Sequence, residues 1–312
     1  MPELGASGIA VSPIALGSWR TFERMEREDA GRVLGYALER GITFLEDARY
    51  DDESGRAPLA TGYSEVLSGQ LFRAAGASLE SIVVANKLWW EFWPQQTAVD
   101  ELEGSLERMG FERLSLRYSM NLPEEVSVGV AVEQMAEVLA TGRVDAWGVV
   151  NWSAEQLAAA GREAVTLGLP QPCAAQLPYS VARTDWVEDR AMEDALEQTG
   201  ASLIPSTALA GGALSGKYAD GETPQGRLRG ELGDPRRARA LAIGAALREP
   251  AQRRGVSPAT LAIAFTLRHP RTASTLIGAT RTEQIDDALA AVALVERLSE
   301  EDIRSLRAVT DA

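Results

Sequence analysis

Eight short runs of apolar or β-branched residues recur along this 312-residue chain, each followed by an amphipathic stretch. That alternation constrains the fold more than any other feature. The runs are 14–17, 42–46, 82–87, 114–118, 146–149, 174–177, 202–205 and 275–278. They are short, bounded by turn-forming residues, and read as buried parallel strands. Helical patterns lie between them. Residues 28–40 carry Val33, Leu34, Ala37 and Leu38 on one face, and 98–108 carry Val99, Leu102 and Leu106, with Met109 next in the row. The pattern repeats at 132–139 and 154–167. Ser257-Pro258 opens a further helix with proline in its first turn, and 284–294 and 300–309 close the chain. This alternation predicts an α/β fold, a (β/α)8 TIM barrel forming one domain over 1–312, not an open sheet.

Composition bears on partners. The formal net charge is −14, and an evenly acidic surface repels nucleic acid and anionic membranes. A small-molecule substrate is the expected partner, and an anionic ligand needs a local basic pocket. The one cysteine, Cys173, excludes an internal disulfide and a cysteine-based zinc cluster, and reads as a small buried strand residue. The opening MPELGASGIAVSP lacks a basic region followed by an apolar run, and no apolar stretch reaches the roughly 20 residues of a membrane helix. A cytoplasmic protein is expected. Nothing in the sequence fixes its oligomeric state.

Two segments break the rhythm. Residues 51–62 (DDESGRAPLATG) are polar and turn-rich and follow the second run; residues 218–237 are rich in Gly, Pro and charge and follow the seventh. Both leave the C-terminal ends of strands, where barrel active sites are built.

Several stretches, in order, resemble the aldo-keto reductase family. LGASGIAVSPIALGSW is similar to its N-terminal β-hairpin and first strand, GITFLEDA to its second strand, and GYSEVLSGQLF to the helix that follows. VVANK is similar to the strand carrying its lysine, and GRVDAWGVVNWS, AAQLPYS, LAGGALSGKY and LIGATRTEQI continue the likeness almost to the chain's end.

The resemblance implies NADP(H) as cofactor. Gly211 and Gly212 in LAGGALSGKY let backbone amides approach an anion, and the family runs this loop across the pyrophosphate, with Lys217 adding charge. In IGATRTEQIDDA, a helix start after the last strand is a frequent phosphate site. The resemblance places Arg281 and Gln284 at the 2′-phosphate and adenosine, and Asp287 at the adenine, with the family's next Asn replaced by Ala288. Asn151 and Gln176 end strands five and six, where their amides can bond a nicotinamide carboxamide. Val150 stands where the family has Ser. Gly17, Ser18, Trp19, Ser206, Leu209 and Gly278 complete the implied cofactor set, without the family's usual stacking aromatic near Ser206.

The implied chemistry is carbonyl reduction, with a tyrosine as general acid, a Lys–Asp pair stabilising its phenolate, and a histidine positioning the carbonyl oxygen. Lys87, ending an apolar run, matches the lysine. For the acid partner, strand register favours Glu46, which shares parity with Ile42 and Phe44; residue type favours Asp47. For the tyrosine, family spacing falls on Asp51, so Tyr50, one residue earlier, and Tyr63 both stand as candidates. The histidine is replaced: Met120 takes its slot, with Asn121 beside it. Met120 cannot donate a hydrogen bond. The one histidine, His269, reads as a solvated turn residue at the wrong end of a strand.

Trp89, Trp90, Phe92 and Trp93 crowd the loop after Lys87 and suggest an apolar pocket wall for a bulky or aromatic substrate, with Arg49 and Arg117 available to an acidic group on it. Three functions fit: an NADPH-dependent reductase of a carbonyl or conjugated C=C, a non-redox acid–base enzyme (dehydratase, isomerase or cyclase), and an NADP-binding regulatory subunit.

Overall fold

The structure, a computed structural model, describes residues 1–53, 55, 57–219 and 234–309; of the segment 218–237, residues 220–233 lie outside the described ones. All eight expected strands form: β1 (Ile14–Gly17), β2 (Phe44–Glu46), β3 (Val83–Leu88), β4 (Leu114–Ser119), β5 (Val144–Val150), β6 (Ala174–Pro178), β7 (Ser202–Ser206) and β8 (Thr275–Ile277). They pair in parallel in the order β7-β6-β5-β4-β3-β2-β1-β8. The ring closes where the Leu203 amide of β7 donates to Arg271 O (2.8 Å) and the Ala273 amide donates back to Leu203 O (3.1 Å). This is the (β/α)8 barrel that the alternation predicted.

The outer layer holds α1 (Arg27–Glu39), α2 (Tyr63–Ala74), α3 (Ala98–Met109), α4 (Val128–Ala140), α5 (Ala154–Thr166), α6 (Arg190–Thr199), α7 (Pro235–Ala246), α8 (Arg248–Arg253), α9 (Pro258–Leu267), α10 (Thr282–Val295) and α11 (Glu300–Ala308). Many starts are set by one side chain. The hydroxyls of Thr97, Ser127, Ser153, Ser257 and Ser299 each accept the amide three residues on. Each satisfies one of the amides that a helix start leaves without an intrahelical partner. The cap at Ser127 starts α4 four residues before the apolar pattern at 132–139. An N-terminal hairpin, bridged at Glu3 and Ala10, plugs the barrel floor: Leu4 is fully buried and the Gly5 amide donates to Ser202 Oγ (2.9 Å) at the foot of β7.

Register decides which side chains meet. Glu46 pairs with Gly17 and with Ala85, two residues before Lys87, while Lys87 pairs with Tyr118. Alternation therefore sends Glu46, Lys87 and Tyr118 into the barrel and Asp47, Asn86 and Arg117 outward against α2 and α3. His269 departs from its expected place. It is half-buried, packs edge-on against Tyr179 at 5.5 Å, and burial lowers its pKa, so it is a packed residue and not a solvated one.

Candidate active site

Three polar side chains converge at the C-terminal mouth of β2 and β3. Lys87, 7% exposed in its side chain, forms a close ion pair with Glu46, itself 3% exposed. Lys87 Nζ donates to Tyr50 Oη at 2.7 Å, and Tyr50 Oη donates to Glu46 Oε1 at 3.1 Å. A phenol, an ammonium and a carboxylate thus share one triangle in a largely water-excluded place. A Cβ on Gly17 would sit 2.9 Å from Glu46 Oε2 and press on this carboxylate.

Tyr50 reaches this point through a tight turn. Its amide donates to Ala48 O at 2.9 Å, closing a three-residue loop over Arg49. Its carbonyl accepts the Gly62 amide at 2.9 Å, and Asp52 N donates to Ala60 O at 2.8 Å. The ends of 51–62 therefore meet, and the excursion leaves Tyr50 undisturbed. The two tyrosine candidates part here: Tyr63 opens α2, half-buried against the core, while Tyr50 sits on Lys87.

The wall is partly as expected. Trp89 stands edge-on to Tyr50 at 6.2 Å. Trp90 is 5% exposed, donates through Nε1 to Ser119 Oγ (3.1 Å) and packs edge-on against Trp93, so it lies behind the rim. Met120 is nearly buried, its carbonyl accepting Trp152 Nε1 at 2.8 Å, and Asn121 beside it is exposed.

On the far side of the mouth, Gln176 is 4% exposed and its Oε1 is buried without a hydrogen-bond partner. An orphaned amide oxygen is costly unless something completes it. Asn151, whose amide donates to Gln176 O (3.1 Å), is held at φ +59° beside it. Beyond β7, Ala210, Gly211 and Gly212 have φ of +47°, +71° and +101° in succession, and a Cβ on Gly212 would meet nothing within 4 Å. The Ala210 and Gly212 amides are taken within this loop, by Thr207 O (2.7 Å) and Leu209 O (2.8 Å), so what the glycines leave is open space and not a ring of free amides. Ser206 and Leu209 lead into the loop, largely and half buried respectively. A carboxamide on the orphaned Gln176 oxygen, with room beside Gly212 for the rest of the molecule, suits a nicotinamide dinucleotide.

A model of the aldo/keto reductase family matches residues 13–311. The chain belongs to the aldo/keto reductase family. Among its relatives, a probable voltage-gated potassium channel subunit beta of Oryza sativa subsp. japonica is 28% identical, covering 99% of this chain and 96% of its own. L-glyceraldehyde 3-phosphate reductase of Escherichia coli (strain K12) is also 28% identical, covering 92% of this chain and 86% of its own.

Other residues of this aldo/keto reductase family member sit less openly than the sequence suggests. Ser18 is 1% exposed and its hydroxyl makes a very short hydrogen bond to Asp47 Oδ1, while Trp19 stays 39% exposed at the rim. Gln284 Oε1 accepts the amides of Thr280 (2.7 Å) and Arg281 (3.2 Å), closing the turn into α10. Arg281 and Lys217 are exposed, Lys217 resting over the Tyr218 ring, and Gly278 is half-buried after β8. Asp287 Oδ1 is engaged by Ser257 Oγ at 2.8 Å, which fastens α10 to the start of α9.

The expectation that Arg49 and Arg117 face a substrate is corrected. Both are buried in a polar layer between the barrel and α2–α3. Arg49 Nε donates to Glu101 (2.9 Å), Nη1 to Thr61 Oγ1 (3.1 Å), and Nη2 to Glu91. Arg117 Nη1 donates to Asn86 and Ser105, and burial holds its pKa down to about 10. Asn86 Nδ2 and Arg108 Nε in turn donate to Glu65, at 2.8 and 2.5 Å. Asp47 borders this layer, fully buried, and burial together with the Glu65 charge pushes its pKa up to about 7. Sequence reasoning missed this layer, because nothing local ties an arginine at 49 to carboxylates at 91 and 101.

Proposed function

We propose that this protein is an NADPH-dependent oxidoreductase that reduces a carbonyl, or a C=C conjugated to one, in a bulky apolar or aromatic small molecule. The observation that carries this is the Tyr50–Lys87–Glu46 triangle, with Tyr50 Oη 2.7 Å from Lys87 Nζ. When bound, NADPH supplies the hydride. The chain's own residues do the rest. Gln176 and Asn151 would orient the carboxamide, the Gly211-Gly212 loop would leave room for the pyrophosphate, and Arg281 and Gln284 would lie at the 2′-phosphate and adenosine. Tyr50 turns its hydroxyl from Glu46 to the substrate oxygen and gives it a proton. Lys87 stabilises the phenolate left behind, and Glu46 holds Lys87 in place through their ion pair. Met120 offers the oxygen no hydrogen bond, which leaves Tyr50 and the unpartnered Nε1 of Trp89 as donors at this mouth. Trp89, edge-on to Tyr50, gives the site an aromatic wall, which supports an apolar or aromatic substrate.

A second reading, an NADP-binding regulatory subunit, is supported by the potassium-channel-subunit names of relatives such as the rice protein. One experiment separates the two. NADPH is titrated by fluorescence, and absorbance at 340 nm is then followed with aldehydes, ketones and enones. Saturable binding with turnover of an aromatic member is expected. Binding with no oxidation of NADPH on any class would favour the regulatory reading, and no binding would remove the cofactor from both.

A further inference from the structure

Tyr50 stands one residue before the place that family spacing gives its tyrosine, and the residue that makes this register work is its neighbour. We propose that Arg49 is a positioning residue for Tyr50: its guanidinium pins the tight turn that delivers the phenol to Lys87, and ties that turn to the tryptophan-bearing loop. This rests on the reading of Tyr50 as the proton donor.

The argument is geometric. Three consecutive residues, 48 to 50, carry the chain out of β2 and reverse its direction, closed by the hydrogen bond from Tyr50 N to Ala48 O. A turn this small fixes few contacts of its own. Arg49 projects outward from its apex, 6% exposed, and spends all three of its nitrogen positions on different elements. Glu101 belongs to the first turn of α3 and is 3% exposed. Thr61 lies at the returning end of the 51–62 excursion, bridged to Asp51. Glu91 lies in the loop after β3, and the guanidinium also covers the Phe92 ring at 5.0 Å. One planar fork therefore holds the acid's turn, the returning excursion and the loop carrying Trp89 at fixed separations. Arginine suits this where lysine does not, because lysine directs a point charge and cannot engage three separated partners in one plane. A misplacement of the acid by about 1 Å is enough to cost up to roughly 100-fold in rate.

The test uses the full-length chain with Arg49→Lys, which keeps a cation for buried Glu101, and Arg49→Gln. Crystal structures of both read the turn directly, whether or not a substrate is known. The expected result is Tyr50 Oη displaced out of hydrogen-bond reach of Lys87 Nζ while the Lys87–Glu46 pair persists. Tyr50 in place in both variants overturns the proposal. Should Arg49→Gln fail to fold, Glu91→Ala, at a 45% exposed side chain, removes one arm of the fork and takes its place. With a substrate in hand, kcat is expected to fall about 10- to 100-fold with a smaller rise in KM and unchanged NADPH affinity. The same substitution in a Tyr50→Phe background is expected to add no further loss in kcat. Equal losses in both backgrounds would mean that Arg49 acts independently of Tyr50, against the proposal. If the wild type turns over nothing, the function reading fails, while the crystal structures still decide the role of Arg49.

Discussion

Glu46 and Asp47 are adjacent, both are carboxylates, and both are buried, yet they serve different regions of the molecule. Glu46 points into the barrel, where Lys87 pairs with it and Tyr50 donates to it. Asp47 points out toward α2, where it has the Ser18 hydroxyl, the Ala48 amide and, among the described residues, no ion pair. The inner region gathers opposite charges around one proton-bearing group at the mouth. The outer region spreads Glu65, Glu101, Arg49 and Arg117 through a layer that helices cover, and leaves Arg117 Nε and Nη2 and Asp47 Oδ2 buried without partners. The contrast teaches that burial of charge does not by itself mark reactivity. What distinguishes the inner set is that its three groups meet at one point with access to the barrel mouth.

The comparison breaks first, and by the largest effect, at Tyr50. Tyr50→Phe removes only a hydroxyl. If the inner triangle is the reacting set, kcat falls by about 10²- to 10⁴-fold while NADPH affinity holds, measured by single-turnover absorbance and fluorescence titration. A loss under tenfold would move the acid elsewhere. In the outer layer the expected effect is on folding instead. Glu65→Ala strips the partner from fully buried Asn86 Nδ2 and from Arg108, and should destabilise by about 3 kcal/mol in urea unfolding, with kcat of the folded protein nearly unchanged. Loss of turnover without loss of stability would show the two regions to be one site.

Next in size is a pH effect from Asp47. Its pKa is raised from the usual carboxylate range to about 7 in the folded chain, so the folded state binds the proton more tightly than the unfolded one. Stability from this group is full below pH 4, declines as pH rises, and is lost once pH passes about 7. Between pH 5 and 7 the wild type should lose about 2–3 kcal/mol from this source, and Asp47→Asn, which cannot ionise, should not. Parallel unfolding curves at pH 5 and 8 check this. An unchanged pH slope in the variant would mean that Asp47 is already ionised in the folded chain at pH 5, with no raised pKa. A collapse of turnover in Asp47→Asn would instead make it the lysine's true partner.

How much of this was legible beforehand follows from which interactions are local. The strands were readable because each is a short buried apolar run, and β1 and β8 fall where the pattern put them to within a residue. Helices α6, α7 and α8 were not among the expected patterns, although α6 buries Met192, Ala195 and Leu196 at helical spacing. Glu46 was readable by parity. Tyr50 was only half readable, because its place depends on a three-residue turn and on partners far along the chain, which leave no composition signal. Arg49 was misread, because its partners are 12 to 52 residues away along the chain. Arg117 was misread for a simpler reason: strand parity does send it outward, but a charged residue in an apolar strand invited a functional role.

The smallest expected effect tests where one residue belongs. Ser18 sits in the loop after β1, which the resemblance gives to the cofactor, yet its hydroxyl is turned to Asp47. If the side chain serves the outer layer, Ser18→Ala costs about 1 kcal/mol of stability at pH 8, where Asp47 is ionised, and less at pH 5. NADPH affinity then stays within about twofold, since the Ser18 hydroxyl is committed to Asp47. A tenfold loss of NADPH affinity at unchanged stability would reverse the assignment, and with it the boundary between the two regions, which here runs between the main chain and the side chain of a single serine.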